Sequence, residues 1–317
     1  MPRRVAPLAA AAAIAGLLAN GPASAADTLR VGTPEGSAFV FALLDAGIGA
    51  GIFAQHGIEI EKINFGGGSK LDQGMTSGAI DLSVSGNSEF AFIVKGVPQM
   101  AVAMMAGPPV DMSIIVRDDT DIAKPADLKG KTIGVTSETS LTSYLALAFS
   151  ERQGWGNDGV KRAYIGGMDS EVPALLVKNV DAIIGPIEGG LILDTKGKAH
   201  VLVNFGDMNM FITHLICASD ALIEDHPDEV KRFLAAWFDT VKWADAHKDD
   251  TVRLVEPATH LAPELAAKVY DNDMPALSLT GRFDPKAVDA TMKSFITLGL
   301  LTEIPKDTPV YTEKFLP

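Results

Sequence analysis

Short apolar runs alternate along most of the chain with longer segments that repeat apolar residues at helical spacing. The short runs are rich in Val, Ile and Leu, which favours buried strands, and the longer segments favour helices. This alternation predicts an α/β protein whose sheet is mostly parallel, with helices on both faces. The predicted strands are 29–33, 58–65, 81–85, 99–106, 112–117, 132–135, 161–165, 181–185, 200–203 and 211–218.

Glycine and hydroxyl residues separate most of these strands from the helices that follow. Predicted helices cover 39–56, 87–95, 141–153 and 188–196, and two more follow the loops at 66–69 and 166–169. From Pro227 onward apolar residues recur at helix spacing, which predicts a helical C-terminal region.

The stretch DLKGKTIGVTSETS at 127–140 contains one complete turn, strand and helix start. Turn residues precede the β-branched run 132–135, and the hydroxyls after it are typical N-cap residues for the helix that begins at Leu141. The first amides of a helix lack partners within the helix and lie at the positive end of its dipole. The pattern therefore predicts a ligand site at this junction.

One sequence pattern occurs twice. The segment Gly78-Ala79-Ile80-Asp81 precedes an apolar strand and the turn at 85–89, and Asn179-Val180-Asp181 precedes an apolar strand and the turn at 185–188. Each copy contains a helix stop, an aspartate, a strand, a tight turn and a helix start. The repetition favours two lobes of similar design.

The segment KPADLKGKTIGVTSETS at 124–140 resembles the start of the second lobe of periplasmic solute-binding proteins of ABC importers. The resemblance is to the nitrate/sulfonate/taurine and thiamine-pyrimidine-precursor type, and segments 29–61, 66–86 and 181–190 share it. It implies the type II periplasmic binding (Venus-flytrap) fold, with two Rossmann-like lobes joined by crossing strands near 112–117 and 211–218. The expected lobes are 26–117 plus 215–317, and 118–214, with the ligand in the cleft between them.

The N-terminus has the features of a secretory signal peptide. Arg3 and Arg4 precede an Ala- and Leu-rich run that ends in small residues, which predicts cleavage after Ala25. Removal of the two arginines takes the formal charge from −13 to −15. We therefore expect an acidic periplasmic protein that does not insert into the membrane after cleavage, does not bind nucleic acid and, with Cys217 alone, forms no intrachain disulfide.

Most candidate ligand-binding residues lie in the loops that join a strand to the next helix. Each hydroxyl is alternatively a plain N-cap, and each acid a favourable charge in the first turn of a helix. All of these loops are expected at one edge of the sheets, which favours the set over its individual members. The candidates are Glu35, Ser37, Gly68, Ser69, Ser85, Asn87, Ser137, Glu138, Thr139, Ser140, Asp169 and Glu188.

Charge on these loops bears on the class of ligand. Lys70 is the only basic residue among them, whereas four of the candidates are acidic. A monoanion there would depend on amides and hydroxyls alone and would face nearby carboxylates. The sequence thus favours a neutral, zwitterionic or amine-bearing organic ligand, and a sulfonate held by helix N-termini stays open.

No pattern indicates a metal, a cofactor or a catalytic group. The six histidines lack the close spacing of metal ligands, and the glycine run at 66–68 lacks the Gly-Lys-Ser/Thr of a phosphate loop. His214 and Cys217 are three residues apart on a predicted strand, so their side chains point to opposite faces and do not form a nucleophile pair.

These observations predict a monomeric solute-binding protein that delivers a small molecule to an ABC permease of the inner membrane and has no enzymatic turnover. The main alternative is an enzyme on the same fold, similar to desulfinases or pyrimidine-forming enzymes, which rely on cysteine or histidine in the first-lobe cleft. Residues 26–117 contain no cysteine and one histidine, His56, at a predicted helix end. A ligand sensor for a membrane kinase is a third possibility.

Overall fold

A computed structural model describes residues 26–208, 211–305 and 308–317 of the chain. The predicted signal peptide, 1–25, lies outside the described residues.

Ten strands form two five-stranded sheets. The first sheet has the order β2-β1-β3-β10-β4, in which four strands run in one direction and β10 is antiparallel to its neighbours β3 and β4. Its strands are β1 (Asp27–Thr33), β2 (Ile58–Asn64), β3 (Leu82–Gly86), β4 (Gln99–Ala106) and β10 (His214–Ser219).

The second sheet repeats this design in the order β7-β6-β8-β5-β9. Here β5 is the antiparallel strand, between β8 and β9. Its strands are β5 (Met112–Arg117), β6 (Thr132–Val135), β7 (Lys161–Tyr164), β8 (Ala182–Pro186) and β9 (Ala199–Asn204). The predicted two-lobed α/β architecture, with mostly parallel sheets, is confirmed.

Helices connect the strands and form the C-terminal region. They are α1 (Phe39–Gly49), α2 (Ile52–Gln55), α3 (Gly68–Thr76), α4 (Glu89–Val94), α5 (Leu141–Arg152), α6 (Met168–Leu176), α7 (Ile187–Thr195), α8 (Asp220–Asp225), α9 (Pro227–Ala246), α10 (Lys248–Thr259), α11 (Pro263–Asp273) and α12 (Pro285–Thr297). Short 3₁₀ helices lie at Pro125–Leu128 and Met274–Ala276.

The repeated sequence pattern has the same structural role in both lobes. The Asp81 carboxylate accepts the Arg30 amide at 2.9 Å, and the Asp181 carboxylate accepts the Thr132 amide at 2.8 Å. The two aspartates also donate their own amides to the carbonyls of Arg30 and Thr132. Each aspartate therefore ties the start of the third strand in order, β3 or β8, to the strand beside it.

Two segments carry the chain between the sheets, 107–111 after β4 and 205–213 before β10. The strands predicted to cross instead belong each to one sheet. The lobe boundary predicted from the sequence follows Arg117, whereas Met112–Arg117 pairs with β8 and β9 in the second sheet. Its periodicity marks a buried strand but carries no information about its neighbours.

Some helix boundaries also differ from prediction. The predicted helix 39–56 is two helices, because Gly51 adopts φ 72°, a left-handed conformation that ends the first. The strand predicted at 211–218 begins at His214, and α8 was not predicted.

The C-terminal helices cover the first sheet and also reach the second lobe. Phe233, Leu234 and Trp237 of α9 are fully buried in a core that includes β1 and β3. From α12, Ser294 lies 2.8 Å from the Tyr144 hydroxyl of α5, and Phe295 packs against the Tyr144 ring. A shared core thus joins the lobes on the side of the connecting segments.

Candidate functional site

A cavity of about 50 Å³ lies between the sheets, at the carboxyl ends of their parallel strands. On a measure by which one water fills 10–15 Å³, it has room for about four waters. It is lined by Pro34, Glu35, Ala38, Phe41, Gly68, Ser85, Gly86, Ser88, Asp111, Met112, Thr136, Ser140, Leu141, Thr142, Met168, Glu171, Gly185, Pro186 and His214. This is the position where open α/β sheets bind ligands.

Hydroxyl groups hydrogen-bond across the two lobes beside the cavity. The Ser69 hydroxyl at the start of α3 lies 3.0 Å from the Ser137 hydroxyl and 3.1 Å from the Thr139 hydroxyl. Ser137 and Thr139 precede α5 in the second lobe. These contacts form only when the lobes lie close together.

Two glutamates cap helices of the opposite lobe. The Glu188 carboxylate, in the first turn of α7, accepts the Phe39 amide at the start of α1 at 2.7 Å. In the reverse direction the Glu35 carboxylate, after β1, accepts the Met168 amide at the start of α6 at 3.1 Å. Each carboxylate lies at the positive end of a helix dipole, which stabilises its charge.

Glycine allows the lobes to approach at the end of β3. A Cβ added to Gly86 would lie 2.7 Å from the Leu141 Cβ, a distance that real Cβ atoms essentially never show. Gly86 belongs to the first lobe, and Leu141 begins α5 in the second.

A hydroxyl network shapes the start of α5. Ser140 is the N-cap and accepts the Ser143 amide at 3.3 Å, as expected for a hydroxyl at this position. Its hydroxyl also lies 2.9 Å from that of Thr142, which accepts the Thr136 amide at 2.9 Å. These oxygens are therefore already engaged within the protein.

Glu171 is the most deeply buried acid of the cavity lining. Its side chain is 0% exposed, and neither carboxyl oxygen has a hydrogen-bond partner among the described residues. Burial, and next the nearby charge of Glu35, raise the pKa of Glu171 well above its ordinary value. The Glu35 carboxylate, by contrast, accepts from the Ser37 hydroxyl at 3.0 Å and from Met168.

Glu188 and Asp273 are two further buried acids near the cavity. Burial raises the pKa of Glu188 to about 8, against the effect of the Phe39 amide, and the charges of Asp111 and Glu35 add to the shift. Burial also raises the pKa of Asp273, as do Glu188 and Asp111. The uncharged carboxyl is favoured at these positions.

His214 pairs with Asp111 between the two connecting segments. Its Nε2 lies 2.7 Å from the Asp111 carboxylate, and both side chains are buried. Because a carboxylate can only accept, Nε2 of His214 donates this hydrogen bond. Nδ1 has no hydrogen-bond partner in the described part of the chain.

The sequence-predicted residues divide into four groups. Glu35, Gly68, Ser85 and Ser140 line the cavity, although the Ser85 hydroxyl donates to the buried Glu89 carboxyl at 2.7 Å. Ser69, Ser137 and Thr139 form the contact across the lobes, and Ser37, Asp169 and Glu188 line a neighbouring groove. Glu138 is exposed, and Asn87 is fully buried; neither belongs to the lining. Direct contact of any of these residues with a ligand stays a prediction.

Asp111, Glu171 and His214 were not among the predicted residues. Glu171 and Leu175 form the buried face of α6, so an acid on the apolar stripe of a helix was the available signal. Asp111 and His214 are separated by 103 positions in the chain and meet only through the fold.

The described residues of the cavity lining include no lysine or arginine, and the class of ligand predicted from the loop charges stays a prediction. Lys70, the basic residue of the loops, is exposed and outside the lining. Across residues 26–208, 211–305 and 308–317, no cluster of three or more His, Cys, Asp or Glu could hold a metal ion. Within the same ranges no helix is long and apolar enough to cross a membrane.

The chain is similar to known proteins in both sequence and structure. A protein of Bacillus subtilis (strain 168) named "Putative aliphatic sulfonates-binding protein" is 25% identical over 250 residues, which cover 78% of this chain and 74% of the relative. The alkanesulfonate-binding protein SsuA of Xanthomonas axonopodis pv. citri, solved bound to MOPS, superposes with a TM-score of 0.76 at 18% identity, over 89% of this chain and 96% of that one.

An enzyme shares the fold. A mutant form of the desulfurization enzyme DSZB, solved in complex with biphenyl-2-sulfinic acid, superposes with a TM-score of 0.64 at 20% identity, over 92% of this chain and 97% of that one. Both structural similarities concern the fold alone. The sequence itself matches the family described as "NMT1/THI5 like" over residues 40–251, and the chain therefore belongs to the NMT1/THI5-like family.

Proposed function

We propose that the protein is the substrate-binding component of an ABC importer, which captures a small polar organic solute between its lobes and delivers it to an inner-membrane permease. The observation that carries the proposal is the pair of interlobe caps, Glu188 to the Phe39 amide and Glu35 to the Met168 amide, beside a cavity between the lobes. These bonds exist only when the lobes are closed, so closure has its own favourable contacts and a ligand can shift the equilibrium toward it.

The natural hinges in this proposal are 107–111 and the described parts of the second connecting segment, 205–208 and 211–213. We assign lobe 1 to 26–106 plus 214–317 and lobe 2 to 112–204, following the sheets. The predicted signal peptide and the family support a periplasmic location, where a monomer would meet the permease.

The chemistry of the site supports binding without turnover. Cys217 is fully buried, and burial followed by the charges of Glu89 and Asp72 raises the pKa of its thiol. A thiol in that environment is a poor nucleophile. Ser85 and Ser140, the hydroxyls nearest to this role, are engaged with Glu89 and Thr142.

Native mass spectrometry of the purified protein, with denaturing release of any molecule carried through purification, tests the proposal. A thermal-shift panel of taurine, alkanesulfonates, nitrate and aminopyrimidines is the complementary measurement, because a ligand at 100 times its Kd adds about 2.7 kcal/mol to stability. We expect one small molecule to bind at a 1:1 ratio and to return unchanged after long incubation. Conversion of the bound molecule would support the enzyme alternative instead.

A further inference from the structure

We infer that the cleft recognises its ligand through a cationic N–H group, an ammonium or an amidinium, which the Glu171 carboxylate binds. The inference rests on the proposed function, since it names the class of solute that the cleft captures. A cationic solute of this kind differs from a sulfonate, the class of molecule for which the two relatives are named.

Glu171 is placed to receive such a group. It lines the cavity from α6 with both carboxyl oxygens buried and without protein partners in the described chain. An unpaired buried acceptor is costly, and more so when charged, so a donor from the ligand would remove a large penalty. An ammonium or amidinium supplies both the donors and the opposite charge.

The rest of the lining is also suited to a donor. Nδ1 of His214 has no partner among the described residues, the Glu35 carboxylate lies close enough to shift the titration of Glu171, and Asp111 adds a further carboxyl group. Phe41, and the other apolar side chains of the lining, would surround the organic part of the ligand. An anion at this position would face three carboxyl groups without lysine or arginine among the described lining residues.

Two of the helix starts that could hold an anion are already used by the protein. The first amide of α1 is bonded to Glu188, and the first amide of α6 is bonded to Glu35. A sulfonate at either helix would have to displace a carboxylate that comes from the opposite lobe and helps to close the cleft. The cross-capping thus removes two of the donor sets on which an anion would depend.

Proton release gives the inference a second signature. Glu171 lines the cavity together with Glu35, Asp111 and His214, Glu188 lines the neighbouring groove, and burial, then the charge of Glu35, raises the pKa of Glu171 well above its ordinary value. A bound cation stabilises the carboxylate, so the carboxyl proton passes to solvent when the ligand binds.

The test uses a low-molecular-mass filtrate of complex growth medium that is divided on a strong cation exchanger at pH 2. Amines and amidines are retained, while neutral compounds and sulfonates without an amine flow through. The protein is first unfolded and then refolded. Each fraction, returned to pH 7, is added to it in a dilution series, and the melting temperature is recorded. Glu171→Gln is compared with Glu151→Gln, an exposed glutamate of α5 in the same lobe.

We expect the retained fraction to raise the melting temperature of the wild type and of Glu151→Gln. Glu171→Gln should require roughly 10- to 100-fold more of that fraction for the same shift, as expected for loss of a charge-assisted bond. Its melting temperature without ligand should equal or exceed that of the wild type, which excludes misfolding. With the purified active compound, calorimetry in two buffers of different ionisation heat should show proton release in the wild type and none in Glu171→Gln.

Stabilisation by the flow-through fraction alone would overturn the inference and leave the proposed function standing. Equal responses of Glu171→Gln and Glu151→Gln to the retained fraction would overturn the role of Glu171. A lack of response to both fractions, up to the concentration of undiluted medium, would count against solute binding itself.

Discussion

Glu188 shows how one side chain can serve both closure and pH dependence. One of its carboxyl oxygens accepts the Phe39 amide across the cleft, and the other has no partner among the described residues. The side chain is 4% exposed, and Asp111, Asp273 and Glu35 all act on it electrostatically. Folding therefore favours the protonated form.

Replacement of Glu188 by Gln should remove part of the pH dependence of stability. The pKa of Glu188 rises from 4.5 in the unfolded chain to about 8 in the folded protein, so the folded state holds a proton that the unfolded state releases. Its contribution to stability is present below pH 4.5 and is lost as the pH rises through about 8. We expect Glu188→Gln to gain stability relative to the wild type between pH 5 and pH 8.5, as measured by urea unfolding.

The control for this prediction is Glu256→Gln, at an exposed position of α10. Its free energy of unfolding should follow the wild-type curve at every pH. A Glu188→Gln curve parallel to the wild type would mean that this carboxyl is already ionised when folded.

The role of a residue could be predicted from the sequence when that role depends on its neighbours along the chain. Ser140 was predicted because an N-cap hydroxyl is recognisable from the residues that follow it, and Glu35 because it lies between a strand and a helix. The Asp111–His214 pair could not be predicted, since its partners are brought together by two separate connecting segments. Glu138 lies in the same strand-to-helix loop as Ser140, and its exposure in the structure could not be predicted from that position.

At the scale of elements, the Met168 side chain of α6 packs against two glycines, Gly185 in β8 and Gly189 in α7. A Cβ on Gly185 would lie 2.5 Å from the Met168 sulfur, and one on Gly189 would collide with the Met168 methyl group. Because Met168 also lines the cavity, the packing between these elements sets the volume available to a ligand.

Gly189→Ala should therefore weaken ligand binding and preserve stability. Alanine is favoured over glycine inside a helix by about 1 kcal/mol, and the atom in conflict is the flexible end of a methionine, which can move into the cavity. We expect a melting temperature equal to or above that of the wild type, with a higher Kd by calorimetry. The double variant Gly189→Ala/Met168→Ala should recover affinity, and failure to do so would show that Met168 is not the cause.

Ser140→Ala should destabilise the protein through the start of α5. The lost N-cap costs about 1 kcal/mol, and its removal leaves the Ser143 amide without this acceptor. Chemical denaturation measures the effect, with Ser170→Ala, at an exposed position in α6, as the comparison. Equal stability of the two variants would argue that water replaces the cap without loss.

Some boundaries of helices and strands could be predicted from the sequence, and others could not. Strands β4, β5 and β6 have the bounds predicted from the sequence, 99–106, 112–117 and 132–135. The break between α1 and α2 was missed because the apolar period continues through Ala50 and Gly51, and only the backbone conformation of Gly51 interrupts it. Pairing partners were the least predictable, since β5 and β10 carry the same buried pattern whichever sheet they join.

For the whole molecule, the approach of Gly86 to Leu141 predicts a variant that is held open. Gly86→Ala places a methyl group against a Cβ atom, which cannot rotate away, so the closed state should be disfavoured by about 1–3 kcal/mol. Small-angle scattering should show wild-type compaction with ligand and a larger radius of gyration for the variant at the same concentration.

The control is Ala91→Gly, in α4 of the same lobe, which tests a general loss of rigidity. Gly78→Ala would not serve as a control, because the φ of 71° at Gly78 would strain an alanine there. Compaction of Gly86→Ala to the wild-type radius with unchanged affinity would show that the lobes do not close along this contact.

The position of β10 between β3 and β4 also has a consequence for the order in which the chain folds. All five strands of the second sheet lie between Met112 and Asn204, so that sheet can be completed as soon as this stretch has been synthesised. The first sheet has to wait, because β10 separates β3 from β4 and starts at His214. Until then β3 and β4 present unpaired edges, which makes the N-terminal third of a nascent chain the part most in need of a chaperone.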